Sequence, residues 1–447
     1  MGAPVSPLPH SEHIPDGTVF PLTTAKCPPI RPGELDLQDY SGPLQRQISP
    51  LDFTKDALVS MNKELGTLYI LQDGLWFGRV SEKWGEKVAW DREVRLWEVH
   101  NKYNAFFHVE ALNIQGTPVE KCLKAQQINA GYGSLLYDTE VELVAPNVGI
   151  VTNNKCTTVD FFLNRGQDLT IYKICWTIDQ PLFLEWAQCF DAGMKCMPLK
   201  LIPRIKDDEP YCKWVFWLGD VKTGDPHNYA ADMKSSAEAE GTPSDLKDYS
   251  GPLHPRLEIG NFCRETVARM LVQSSRLYRL IDGQWHSIVQ ELYGDDAAWE
   301  IQEKVWEIAL GYNSRNLSRA LKVEGSPVER CLKLLQMNPA FGLLYNCTFD
   351  MESPDVGVVN NYRCTTRDYF ERTGGDVNLS RICGDMEHRL LQKFAGTVDP
   401  GIKVTPRKVP VRERRADRKQ MVGLAERIPH GEEREPVCQW EFKLKNK

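Results

Sequence analysis

The sequence predicts an α+β fold built twice: two homologous tandem domains, each a helical first half followed by a small, mostly antiparallel sheet. Three observations carry this. First, the stretch NNKCTTVDFFLNRGQDLTIYKIC at 153–175 returns as NYRCTTRDYFERTGGDVNLSRIC at 361–383. Second, equivalent landmarks keep a constant spacing: Asp39 and Asp248, Asp73 and Asp282, and Cys122 and Cys331 are each 209 residues apart. Past one deletion, Cys156 and Cys364 are 208 apart. Third, in each copy an early region of helical periodicity gives way to short alternating apolar and polar runs bounded by turns. The period is too long for a solenoid, so the chain reads as a duplicated domain packed as a pseudo-two-fold pair.

In chain order, residues 1–38 are proline-rich and aperiodic, the composition of an extended arm. The first domain spans 39–218, residues 219–244 have linker composition, and the second domain spans 245–447. A charged insertion at about 407–436 separates Cys438 from its equivalent Cys212 by 226 residues rather than 208. Within each copy, Ser49-Pro50 reads as a cap ahead of a first helix, and Asp73-Gly-Leu-Trp reads as the start of a second. Trp90 and Trp97, like Trp299 and Trp306, stand two helical turns apart and share a face. Pro118 and Pro327 open a further helix. Residues 135–142 and 147–152 then form a hairpin, as do 343–350 and 356–360. Thr157 and Thr365 are placed to cap a short helix. Another helix follows from Asp179 or Asp385, and strands close each copy at 194–202 and 211–218.

Composition narrows the function. Apolar residues are 42% and charged residues 26% of 447, ordinary for a protein that buries a core. A net charge of −7 argues against a broad nucleic-acid footprint. No apolar run reaches the roughly 18 residues of a membrane helix, and no signal peptide is visible, so the expected location is cytoplasmic. Thirteen cysteines without a secretion signal point to free thiols, metal ligands or catalytic thiols. There is no P-loop, GxSxG, HExxH or dinucleotide fingerprint.

Two chemistries remain for the cysteines. Thiolates suit zinc or another soft metal, and Cys156, Cys175, Cys196 and Cys212 offer four ligands in the first copy. The second copy offers Cys364, Cys383 and Cys438, with His388 as a fourth. No Cys-x-x-Cys accompanies either set. Alternatively, Cys156 and Cys364 precede a helix whose dipole favours a thiolate nucleophile, with Asp160 and Asp368 one turn away as acid or base. Buried apolar packing of the same cysteines is the plainer possibility. Asp73, Trp76 and Trp97, with Asp282, Trp285 and Trp306, are candidates to line a ligand pocket. Capping aspartates and core tryptophans explain the same residues equally simply.

The motifs Asp73-Gly-Leu-Trp-Phe, Glu82-Lys-Trp-Gly85, Ile174-Cys175 and Cys212-Lys-Trp-Val-Phe resemble an uncharacterised bacterial family, DUF6125, whose members are similar to L-2-amino-thiazoline-4-carboxylate hydrolase. The second copy matches through Asp282-Gly-Gln-Trp, Cys364, Cys383, the run from Phe394 to Ile402, and Cys438-Gln-Trp-Glu-Phe. The likeness covers most of 60–218 and 270–445. It implies a hydrolase-like fold acting on a C–N bond of a small cyclic or amidine-like substrate. The alternative is a non-catalytic module that binds a metal, cofactor or ligand, or an accessory subunit of a larger enzyme. The family's Cys-x-x-Cys-Pro-Pro segment is reduced here to Cys196 with Pro198, and to Val404 with Pro406. The expected partner is a small-molecule ligand, with a protein partner reached through the N-terminal arm or the charged insertion.

Overall fold

The computed structural model describes residues 27–204, 206, 208–219, 243–364, 381–409 and 435–445. Asp368, Thr365, nearly all of the linker and most of the charged insertion lie outside them. The fold is α+β, with two separate four-stranded antiparallel sheets.

Each half opens with a long helix, α1 (Lys55–Trp84) or, in the second half, α7 (Arg264–Tyr293), both 30 residues. The Thr54 hydroxyl caps α1 by accepting from the Ala57 N–H at 3.4 Å. Both helices stop at a glycine with positive φ, Gly85 at 94° and Gly294 at 84°, a conformation that side chains disfavour. Contrary to expectation, Asp73-Gly74 and Asp282-Gly283 start nothing: both helices run straight through them. A mid-helix glycine costs only about 1 kcal/mol relative to alanine, which packing along the rest of a long helix outweighs. Ser49 does cap, but a 3-10 turn over Pro50–Asp52 rather than the long helix.

Next come α2 (Glu86–Leu112) and α8 (Asp295–Leu321), then α3 (Pro118–Gln127) and α9 (Pro327–Gln336). Pro118 and Pro327 open α3 and α9, as the sequence predicts, and Thr117 and Ser326 cap them. The first sheet comprises β1 (Tyr137–Ala145), β2 (Val148–Cys156), β3 (Met194–Lys200) and β4 (Cys212–Leu218), in the order β1-β2-β4-β3. The second comprises β5 (Asn346–Ser353), β6 (Val356–Arg363), β7 (Ile402–Lys408) and β8 (Cys438–Leu444), in the order β5-β6-β8-β7. Register shifts recur at equivalent places, Pro198/Lys200 and Pro406/Lys408, on edge strands where a missing N–H is tolerated. Between the hairpins of the first half lie α4 (Thr157–Leu163), α5 (Asp168–Lys173), a π-helical turn over Ile174–Ile178, and α6 (Asp179–Gln188). The second half has the matching π turn over Ile382–Met386, followed by α10 (Glu387–Val398).

The halves are not beads on a string. α1 packs against α7 and α8, α2 packs against α7, and one apolar core runs through both halves. Their opening segments are exchanged. The Tyr40 N–H donates to the Leu321 carbonyl (2.6 Å), and its hydroxyl to Gln336 Oε1 (2.5 Å). Reciprocally, the Tyr249 N–H donates to Leu112 O (2.7 Å), and its hydroxyl to Gln127 Oε1 (2.8 Å). Two buried lysines fasten the same segments: Lys124 Nζ to Gly251 O (2.6 Å) and Lys333 Nζ to Gly42 O (2.5 Å). Each repeat therefore begins, in space, on the other half. Among the described residues no helix is long and apolar enough to cross a membrane.

Candidate functional site

The six residues expected to line a ligand pocket do come together, but as a closed junction between the halves. The indoles of Trp76 and Trp285 stack in parallel, 6.3 Å between centroids and 2° between planes. Asp73 accepts the Trp285 N–H at 2.7 Å and the Trp97 N–H at 3.2 Å. Asp282 accepts the Trp76 N–H at 2.9 Å and the Trp306 N–H at 3.0 Å. Each carboxylate thus holds one tryptophan of its own half and one of the other. Neither aspartate is a cap. Trp76 and Trp285 are 0% exposed, so the junction offers no surface to a ligand. The carboxyls are buried because their acceptor oxygens are filled by N–H donors.

The two carboxylates are not equally served. Asp282 also accepts from Gln72 Nε2 (2.9 Å) and Gln302 Nε2 (2.8 Å). At the place of Gln302 the first half carries Glu93, whose Oε1 shares the Trp97 N–H at 3.0 Å. Burial and the neighbouring Asp73 hold the Glu93 carboxyl well above the usual carboxylate range. Asp73 is itself raised by burial, against the hydrogen bonds it receives. A neutral Glu93 donating to Asp73 does what the amide of Gln302 does for Asp282.

Beside this junction the predicted sulfurs converge. Cys156 ends β2 and stands at the N-cap of α4, so Thr157 is the first helical residue and not the cap. Cys175 lies in the π turn and Cys212 opens β4. The Cys175 thiol donates to the carboxyl of Asp179, the first residue of α6; Cys156 and Cys212 lie within electrostatic reach of the same carboxyl. Asn153 Nδ2 donates to Cys212 Sγ at 3.2 Å and its Oδ1 accepts from Thr139 Oγ1 at 2.8 Å, fixing the strand side of the cluster. Tyr137, on β1, completes it.

The electrostatics overturn the expected thiolate. Burial pushes the Cys156 thiol up to about 12, with Cys212 and Asp179 adding to it. Burial likewise puts Cys212 at about 11 and raises Cys175 further, reinforced by Asp179. A seven-residue helix cannot offset this desolvation by its dipole. The expected acid–base partner, Asp160, is engaged by the Tyr211 hydroxyl at 2.5 Å, and Tyr211 belongs to a small satellite core with Val159, Ile171 and Cys175. The group poised to exchange a proton is Asp179, which burial brings to about 7.

The second half repeats the cluster. Cys438 lies within reach of Glu387, Cys364, Cys347 and Cys383, and is held well above the ordinary thiol value, chiefly by burial. Glu387, at the position of Asp179, is raised to about 7 by burial, opposed by Arg279. Two metal-ligand expectations are corrected. Cys196 lies beside Cys122 rather than with the other three sulfurs. His388 donates Nε2 to the Val404 carbonyl at 3.0 Å, with its ring 5.9 Å from that of Trp440. Among the described residues no three His, Cys, Asp or Glu side chains are arranged to hold a metal ion. Among the described residues no cysteine is joined to another in a disulfide.

Sequence reasoning passed over Asp179 and Glu387, Glu93, and Arg279. A signal for the first pair was present: each acid follows Ile-Cys by the same offset in both copies. Comparisons with protein-family models, with curated proteins and with solved structures found nothing that matches this chain.

Proposed function

We propose that the chain is a tandem duplication of a thiazoline-carboxylate-hydrolase-like unit, its two copies packed about a pseudo-two-fold axis between Trp76 and Trp285. Its thiol–carboxyl clusters act on a C–N bond of a small cyclic, amidine-like substrate. One observation carries this reading: a half-buried carboxyl, brought to about 7 by desolvation, stands beside a cluster of sulfurs at the same place in both halves. A general acid–base group works best with a pKa near the working pH. In its ionised form Asp179 accepts a proton from water as the oxygen adds to the amidine carbon. The resulting acid returns the proton to the departing nitrogen as the C–N bond breaks. The cysteines enter as neutral thiols that shape and dry the site; Cys175 orients the carboxyl by its hydrogen bond.

A second reading applies to the second half alone. Arg279 stands beside Glu387, where the first half has Ile70, and Gln302 replaces Glu93. That exchange suits a pocket retained for binding or support, the accessory role that the sequence leaves open. The test is turnover of 2-aminothiazoline-4-carboxylate by the purified chain. Asp179→Asn should lower kcat about 10²-fold or more, and Glu387→Gln much less. No turnover of this or related cyclic amidines by the wild type would leave the binding reading in place for both halves.

A further inference from the structure

Three helices of the second half border an open groove of about 620 Å³ that none of the thiol–carboxyl cluster residues lines. Ser314, Arg315, Ser318 and Arg319 project into it from successive turns of α8, and Arg330 and Leu334 from α9. The volume falls in the range of small-molecule sites. Its charge is what singles it out. Arg319 is neutralised by a bidentate pair with Glu64 (2.7 Å). Arg315 packs its guanidinium 4.7 Å from the Tyr312 ring centroid, and among the described residues neither it nor Arg330 has a carboxylate partner. The Nε of Arg330 is buried with no acceptor, so no hydrogen bond of that atom offsets the guanidinium's charge. Guanidinium forks bind phosphate in two-point fashion, and serine hydroxyls serve the remaining oxygens.

The first half argues that this is no by-product of the fold. At the places of Arg315, Arg319 and Arg330 it carries Phe106, Glu110 and Lys121, and at those of Ser314 and Ser318 it carries Ala105 and Val109. One helix frame thus presents a cationic, hydroxyl-lined groove in one half and a largely apolar face in the other.

We propose that this groove binds a small phosphate monoester, its phosphate on Arg315 and Arg330 and its apolar body along Leu334. The probe is phenyl phosphate, titrated calorimetrically into the full chain at 0.15 M salt, with inorganic phosphate and vesicles containing phosphatidic acid as separate arms. Phenyl phosphate should bind more tightly than inorganic phosphate. Arg330→Gln should weaken it about tenfold, Arg315→Gln several-fold, and Lys121→Gln not at all, with unchanged melting temperatures showing that the variants fold. Vesicle binding lost in Arg330→Gln, with free phenyl phosphate bound only weakly, would assign the same groove to a lipid headgroup. Phenyl phosphate bound equally by wild type and the Arg315→Gln/Arg330→Gln double variant, or by neither, overturns the proposal.

Discussion

Asp73 and Asp282 occupy equivalent turns of equivalent helices, yet the second collects four N–H donors and the first two, with a carboxylic acid standing in for the missing amide. The difference comes down to Gln302 for Glu93, to Gln72 reaching across where its own equivalent, Ile281, cannot, and to Arg279, 3.7 Å from Asp282 where the first half has Ile70. A buried carboxylate can be satisfied by amide donors or by a second acid that shares its proton. The second half uses amides and the first uses Glu93. The thiol–carboxyl clusters differ as well: among the described residues no cation acts on Asp179, whereas Glu387 stands beside Arg279.

Variants can break or sharpen this comparison. The largest expected effect is on the proposed hydrolysis, where Asp179→Asn against Glu387→Gln tests whether either half carries it. Next is stability. Asp282→Ala strands four donors in a closed interior and should cost about 3–5 kcal/mol in urea denaturation; Asp73→Ala, which strands two, should cost about 2 kcal/mol. Equal losses would mean that the extra donors to Asp282 contribute nothing. Glu93→Gln copies the second half into the first and should change stability by less than about 1 kcal/mol. Gln302→Glu should be tolerated at pH 5 and increasingly harmful towards pH 9, as a second charge is forced beside Asp282.

Two further measurements concern protons. Asp179 and Glu387 are raised when folded, so the folded chain holds protons that the unfolded chain has released. Their stabilising contribution is fully present below pH 4 and is lost as pH rises through about 7. Asp179→Asn and Glu387→Gln should each flatten the fall in melting temperature between pH 4 and pH 7; an unchanged slope in both would deny the shifts. With its thiol at about 12, Cys156 should be alkylated by iodoacetamide at pH 7.5 about 10³-fold more slowly than a free thiol. Rapid modification mapped to Cys156 would restore the nucleophile.

Much of the fold was legible because periodicity and caps are local. The Pro118 and Pro327 helices, both hairpins and the closing strands follow from proline, turn and alternation signals within a few residues. Asp73-Gly74 misled for the same reason: a local turn signal says nothing of the tryptophan that arrives 212 residues later to claim the carboxylate. The convergence of Cys156, Cys175 and Cys212 was readable from the repeat. Their chemistry was not, since a helix start favours a thiolate only where solvent reaches it. Cys196 illustrates the remaining gap: its strand was placed correctly, but the side chain joins Cys122 in the core. The exchanged opening segments were hidden because a sequence repeat marks what is copied, not which copy it packs upon.

The account rests on a carboxyl at Asp179 that stays protonated far above the ordinary aspartate range because protein surrounds it. Infrared difference titration of the wild type against Asp179→Asn measures that proton directly, through the carboxyl stretch that the variant lacks. The account predicts one protonated carboxyl, absent from the variant, that ionises near pH 7. A band that titrates near the ordinary aspartate value of 3.8 would contradict it.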